Sequence, residues 1–126
     1  MLRPFLLIGA ITALTSVIFG AFGAHALKGI LSASQLTAYH TAVDYQFYHA
    51  LALLGLPALQ QYVNVKLLKI TGLCFVLGTV LFSGSIYLLT LLEWGFVGPL
   101  TPLGGACFMF GWGSLIFGIA KGRYGE

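Results

Sequence analysis

Charge is what this sequence lacks: 7% of its 126 residues are Asp, Glu, Lys or Arg, against roughly 25% in a soluble domain. So few charges cannot clothe an aqueous surface, which excludes a soluble globular protein and points to a membrane. Acidic residues are scarcest, three in all, too few and too far apart to supply paired carboxylates for acid–base chemistry. The six Lys and Arg residues are scattered and form no basic stripe, so a nucleic-acid partner is not expected. Cysteine is also rare, with two residues. Cys74 and Cys107 both fall inside apolar runs and read as small packing residues, not as a redox pair. The chain also has no Gly-rich phosphate loop and no nucleophile beside a base and an orienting group. No enzymatic activity, cofactor or metal is expected.

What the chain has is long apolar runs. Between Arg3 and Lys121 only Lys28, Asp44, Lys66, Lys69 and Glu93 carry charge, leaving uncharged stretches at 4–27, 45–65, 70–92 and 94–120. Each meets the roughly 20 residues that a helix needs to cross about 30 Å of hydrocarbon. The expectation is an all-α integral membrane protein, one domain over 1–126, with spans near 5–27, 45–65, 70–92 and 103–120. Ser32 and Gln35 have capping-box spacing, so the second helix is expected to begin near residue 33 along the interface, with Pro57 bending it. Two prolines in Gly98-Pro99-Leu100-Thr101-Pro102 predict a turn or re-entrant segment before the last span. Ala24-His25-Ala26 has the look of a signal-peptidase site, but the run before it exceeds the usual 7–15 residues of a signal core, and span one is expected to stay in the bundle. With both termini inside, Arg3, Lys66, Lys69, Lys121 and Arg123 gather on the cytoplasmic side and only Lys28 lies outside. That is the bias of the positive-inside rule and gives an N-in, C-in topology.

Small residues recur at helical spacing. Gly104, Cys107, Gly111, Ser114 and Gly118 share one face of span four. Thr71, Cys74, Gly78 and Ser85, with Leu81 filling the heptad, make a row on span three, and Thr12, Ser16, Gly20 and Ala24 one on span one. Lipid is as apolar as leucine, so membrane helices associate through close approach at such rows. Gly20, Ala24, Gly78, Gly104, Gly111 and Gly118 are the expected contact points, either within the bundle or between copies.

Polar residues are the other departure from a plain apolar bundle. The topology brings His25, Asp44, Tyr45, Gln46, His49, Ser83, Ser85, Glu93 and Thr101 toward the non-cytoplasmic end. Ionisable groups near or inside spans are by default candidates for function. His40 and His49 lie on opposite faces of one helix, so helical metal pairing is absent.

Four stretches, taken in order, carry a resemblance: Gly20-Ala21-Phe22-Gly23-Ala24-His25-Ala26-Leu27, Tyr45-Gln46-Phe47-Tyr48-His49-Ala50-Leu51-Ala52-Leu53, Leu81-Phe82-Ser83-Gly84-Ser85-Ile86-Tyr87 and Gly98-Pro99-Leu100-Thr101-Pro102-Leu103-Gly104-Gly105, followed by Phe110-Gly111-Trp112. Together they resemble the YgdD/YwdK family of small bacterial inner-membrane proteins, domain of unknown function 423. The resemblance implies four helices and an inner-membrane address and brings no catalytic residues. The functional expectation therefore rests on chemistry. It is a non-enzymatic protein that assembles with itself or serves a larger membrane complex. Two alternatives are a proton or small-solute channel using the outer His/Asp cluster, and binding of a lipid or quinone headgroup.

Overall fold

The computed structural model describes residues 2–123, and all its regular elements are helical. Helix α1, Arg3–His25, opens with Pro4 in its first turn, where the missing N–H costs no intrahelical bond. Helix α2, Ala33–Gly55, starts at a full capping box: the Gln35 N–H donates to Ser32 Oγ at 3.2 Å and the Ser32 N–H to Gln35 Oε1 at 3.0 Å. Pro57 stands just past its end, in the first turn of a 3-10 stretch, Leu56–Gln61. Helix α3, Val65–Gly78, is capped by Asn64, whose Oδ1 accepts from the Lys66 N–H at 2.8 Å. A π-helical stretch, Thr79–Ser83, joins it to α4, Gly84–Leu91. After a short 3-10 turn, Gly95–Val97, helix α5 runs Leu100–Lys121.

Two antiparallel hairpins make the bundle. Helix α1 packs on α2, the α3–π–α4 rod packs on α5, and α2 joins the halves by touching the π stretch and α4. The main apolar core gathers Leu2, Phe5, Leu53, Leu56, Val63, Leu68, Phe75 and Phe108, while Leu27, Tyr39 and Val43 close the opposite end. The outside is as apolar as the inside, with Leu7, Leu14, Phe110 and Ile116 all exposed. Among the described residues three helical segments are long and apolar enough to cross a membrane: Arg3–His25, Val65–Leu91 and Gly95–Lys121. The polar residues of α2 keep it out of that set, although its 23 residues reach about 34 Å.

Several boundaries differ from those read off the sequence. Where Pro57 was expected to bend span two, α2 ends at Gly55, because proline removes the N–H the next turn requires. The segment at 94–102 is a turn whose last residues already belong to α5, since Pro102 falls in a first turn, where proline is tolerated. Glu93 stands at φ 56°, the left-handed position after α4, and the Trp94 N–H reaches back to the Leu88 carbonyl at 3.2 Å.

The small residues of α5 lie against α3 and the π stretch. A Cβ at Gly118 would meet Val63 at 2.7 Å, one at Gly111 the Phe75 ring at 2.6 Å, and one at Gly104 the backbone nitrogen of Phe82 at 2.2 Å. From the other side, a Cβ at Gly78 would meet the Phe108 ring at 2.4 Å. Phe82, not Leu81, thus lies under Gly104, because the wider π turn rotates the following residues around the axis. On α1, Gly20 faces Val43, but Ala24 is exposed and the close approaches fall to Gly9, against the Ala50 carbonyl, and Gly23, against the Tyr39 ring. Both cysteines are free.

Candidate functional site

Residues expected toward one end of the bundle run from that end, at His25, Glu93 and Thr101, to its middle, at Gln46 and His49. His25, Asp44 and Glu93 are exposed, Asp44 beside a shallow cleft of about 180 Å³ with Ser16 and Phe47. Gln46, His49, Ser83 and Ser85 are buried. Helix α2 begins at residue 33, well before the apolar run that starts at 45, so His49 lies about 24 Å along it. Its partner Trp112 lies about 18 Å into α5. The imidazole therefore occupies the middle of the molecule.

Each buried polar side chain reaches across to another helix or back to its own backbone. Gln46 donates from Nε2 to the Thr12 carbonyl at 3.1 Å and to Thr15 Oγ1 at 2.8 Å, and its Oε1 accepts from the Tyr87 hydroxyl at 2.6 Å. One amide thus ties α2 to α1 and to α4. Ser83 Oγ donates to the Ala42 carbonyl at 2.7 Å, joining the π stretch to α2. The Tyr39 hydroxyl donates to the Phe19 carbonyl. Thr71 and Ser114 share a bond of 2.6 Å near the end that holds Lys66 and Lys121, and Ser85 pairs with Thr101 near the other end. Among the described residues no buried side-chain nitrogen or oxygen lacks a partner.

The chemistry of His49 follows from its two bonds. Indole Nε1 can only donate, so the 3.1 Å contact from Trp112 makes His49 Nε2 an acceptor. The 2.7 Å contact to the Tyr45 carbonyl then requires a proton on Nδ1. The ring is neutral, in one tautomer, with both nitrogens engaged. It stacks on Phe108 at 3.7 Å with an interplanar angle of 9° and meets Phe75 edge-on at 5.1 Å. Tyr45, itself exposed, flanks the same ring at 6.2 Å. A ligand or a shuttled proton would have to displace the indole or the carbonyl.

Tyr87, Trp112 and Thr15 complete this set: the sequence places Tyr87 in the later part of span three but names no partner for it, and gives Trp112 and Thr15 no role. The available signal was donor arithmetic: a glutamine and a histidine deep in a span need partners, and buried indole or phenol groups need acceptors. Substituting Tyr87→Phe is expected to lower stability by about 1 kcal/mol, within the range for one interhelical bond in a membrane, whereas Gln46→Leu, which removes three bonds and leaves the Tyr87 hydroxyl unpaired, is expected to cost about 2–3 kcal/mol. A denaturant titration of helicity in mixed micelles measures both.

The comparisons with known proteins place this architecture. Residues 19–105 match the sequence profile described as a protein of unknown function, DUF423. The chain belongs to this family. It is 38% identical over 120 residues to a UPF0382 membrane protein of Staphylococcus saprophyticus, covering 95% of this chain and 99% of the relative. The UPF0382 membrane protein YwdK of Bacillus subtilis is 37% identical over 121 residues, with 95% and 98% covered. The UPF0382 inner membrane protein YgdD of Escherichia coli K12 is 39% identical over 123 residues, with 94% and 91% covered. No solved structure matches the chain. The DUF423 chain is thus a multi-pass protein of the bacterial inner (cytoplasmic) membrane.

Proposed function

We propose that the chain is a single domain of four spans, N-in and C-in, that acts without catalysis as an assembling or accessory subunit, either with its own copies or within a larger membrane complex. The observation that carries this reading is the engagement of the interior polar groups: Gln46, His49, Ser83 and Ser85 fasten helices, and among the described residues no buried side-chain nitrogen or oxygen stands without a partner. Four spans are supported by the length of α2 and by its antiparallel packing on α1. The topology is supported by Arg3, Lys66, Lys69, Lys121 and Arg123 falling at one end.

A relay through His25, Asp44 and His49 has less support, since two of these are exposed and the third has both ring nitrogens bonded. A headgroup slot formed by Tyr45, Gln46, His49 and Ser83 is likewise disfavoured, because these groups point to three different helices. Affinity isolation from native membranes in mild detergent, followed by mass measurement, tests the reading. It predicts recovery of the chain with further copies or a membrane partner in near-stoichiometric amount. Recovery of a lone monomer, together with liposome flux abolished by His49→Ala or Asp44→Ala, contradicts it.

A further inference from the structure

A lipid-facing groove of about 540 Å³ runs between α3 and α5, walled by Leu67 and Ile70 on one side and by Ala106, Met109, Gly113 and Phe117 on the other. Its floor is closed by the Thr71–Ser114 bond and by the Gly111 and Gly118 contacts. From Ala106 to Phe117 it follows about 16 Å of helix, half of the roughly 30 Å hydrocarbon thickness. That length fits one leaflet, as an acyl chain does, and is short for a second transmembrane helix.

Both walls end in a lysine. Met109, Gly113, Phe117 and Lys121 follow one another at four-residue spacing on α5, and the Lys121 ammonium stands 5.6 Å from the Phe117 ring centroid. On α3, Lys66 is four residues before Ile70, and the antiparallel packing brings it to the same end as Lys121. Both lysines are exposed, and among the described residues neither acidic side chain, Asp44 or Glu93, lies at this end. An apolar trough one leaflet deep that ends in two cations has the shape and charge of an anionic phospholipid.

We propose that the α3–α5 groove is a binding site for an anionic glycerophospholipid, one acyl chain lying along Met109, Gly113 and Phe117 and the phosphate held between Lys66 and Lys121. The assignment to the cytoplasmic leaflet rests on the N-in, C-in reading; the preference for an anionic headgroup does not. The test is native mass spectrometry of the full chain with equal amounts of phosphatidylglycerol and phosphatidylcholine of matched acyl chains. Wild type is expected to retain the anionic lipid at least about tenfold over the zwitterionic one, as two basic side chains at a membrane surface imply. The double variant K66Q/K121Q is expected to bring that ratio close to one. Gly113→Leu, at a position where an added Cβ meets nothing within 4 Å, is expected to fill the trough and reduce retention of both lipids without disturbing the fold. An unchanged ratio in K66Q/K121Q, or undiminished retention in Gly113→Leu, overturns the proposal. A lipid-free mass of two chains overturns it as well and gives the groove to a second copy. The lipid ratios are read separately from partner recovery, and a lipid-free pair of chains would uphold the assembly reading while overturning this one, so the two fail distinguishably.

Discussion

Replacing Gly104 with leucine is expected to disrupt packing of α5 against the α3–π–α4 rod. A Cβ at this position would stand 2.2 Å from the Phe82 nitrogen and 2.7 Å from its Cα, so the clash is with backbone and no rotamer change relieves it. Overpacking ordinarily costs 1–3 kcal/mol; with two helices forced apart along the interface that also carries Gly111 and the Thr71–Ser114 bond, a loss of about 3 kcal/mol or more is expected. The neighbouring Gly105 gives the control. A Cβ there meets nothing within 4 Å, so Gly105→Ala is expected to be neutral or slightly stabilising through helix propensity. Unfolding in mixed micelles, followed by circular dichroism, separates the two. Equal stability of Gly104→Leu and wild type would mean that α5 does not rest on Phe82.

The second large effect is expected at His49. Truncation to alanine removes the ring stacked on Phe108, opens a cavity beside Phe75, and leaves the Trp112 N–H without its acceptor. The cavity and the unpaired donor together place the loss at about 2–4 kcal/mol. Exposed His25 and Asp44 are expected to behave differently, with His25→Gln and Asp44→Asn each within about 0.5 kcal/mol of wild type. The contrast separates a fastener from a relay. A relay histidine would lose transport with little loss of stability, whereas here stability itself is expected to fall.

Much of this fold was readable because its signals are local or periodic. Ser32 with Gln35 and the charge-free runs mark helix ends and apolar lengths, and the row from Gly104 to Gly118 marks the face that α5 turns to α3. What could not be read depends on departures from regular geometry and on distant pairing. The π stretch from Thr79 to Ser83 has no local sequence mark, and it puts Phe82 where an unbroken helix would put Leu81. On α1, regular spacing favoured the row containing Ala24, but the bulk of Tyr39, sixteen residues away, decides that Gly23 takes the close contact.

The polar residues show the same division. That Gln46 and His49 are unusual inside a span follows from their chemistry. That one binds α1 and α4 while the other binds α5 follows only from assembling the two hairpins. The apparent gathering of polar groups at one end came from counting depth from where the apolar run begins. The helix start near residue 33 was legible, but its first twelve residues pack along α1 instead of lying along the interface, and this carries His49 to the middle.

Solid-state NMR of histidine-labelled protein in bilayers, with His25 and His40 replaced by glutamine, reads the state of His49 directly. The interior-fastener account predicts a neutral ring between pH 8 and pH 5, protonated at Nδ1, unprotonated at Nε2, and correlated with the Trp112 indole proton. A ring that carries its proton on Nε2, or that becomes imidazolium as the bathing solution is acidified across that range, would contradict it.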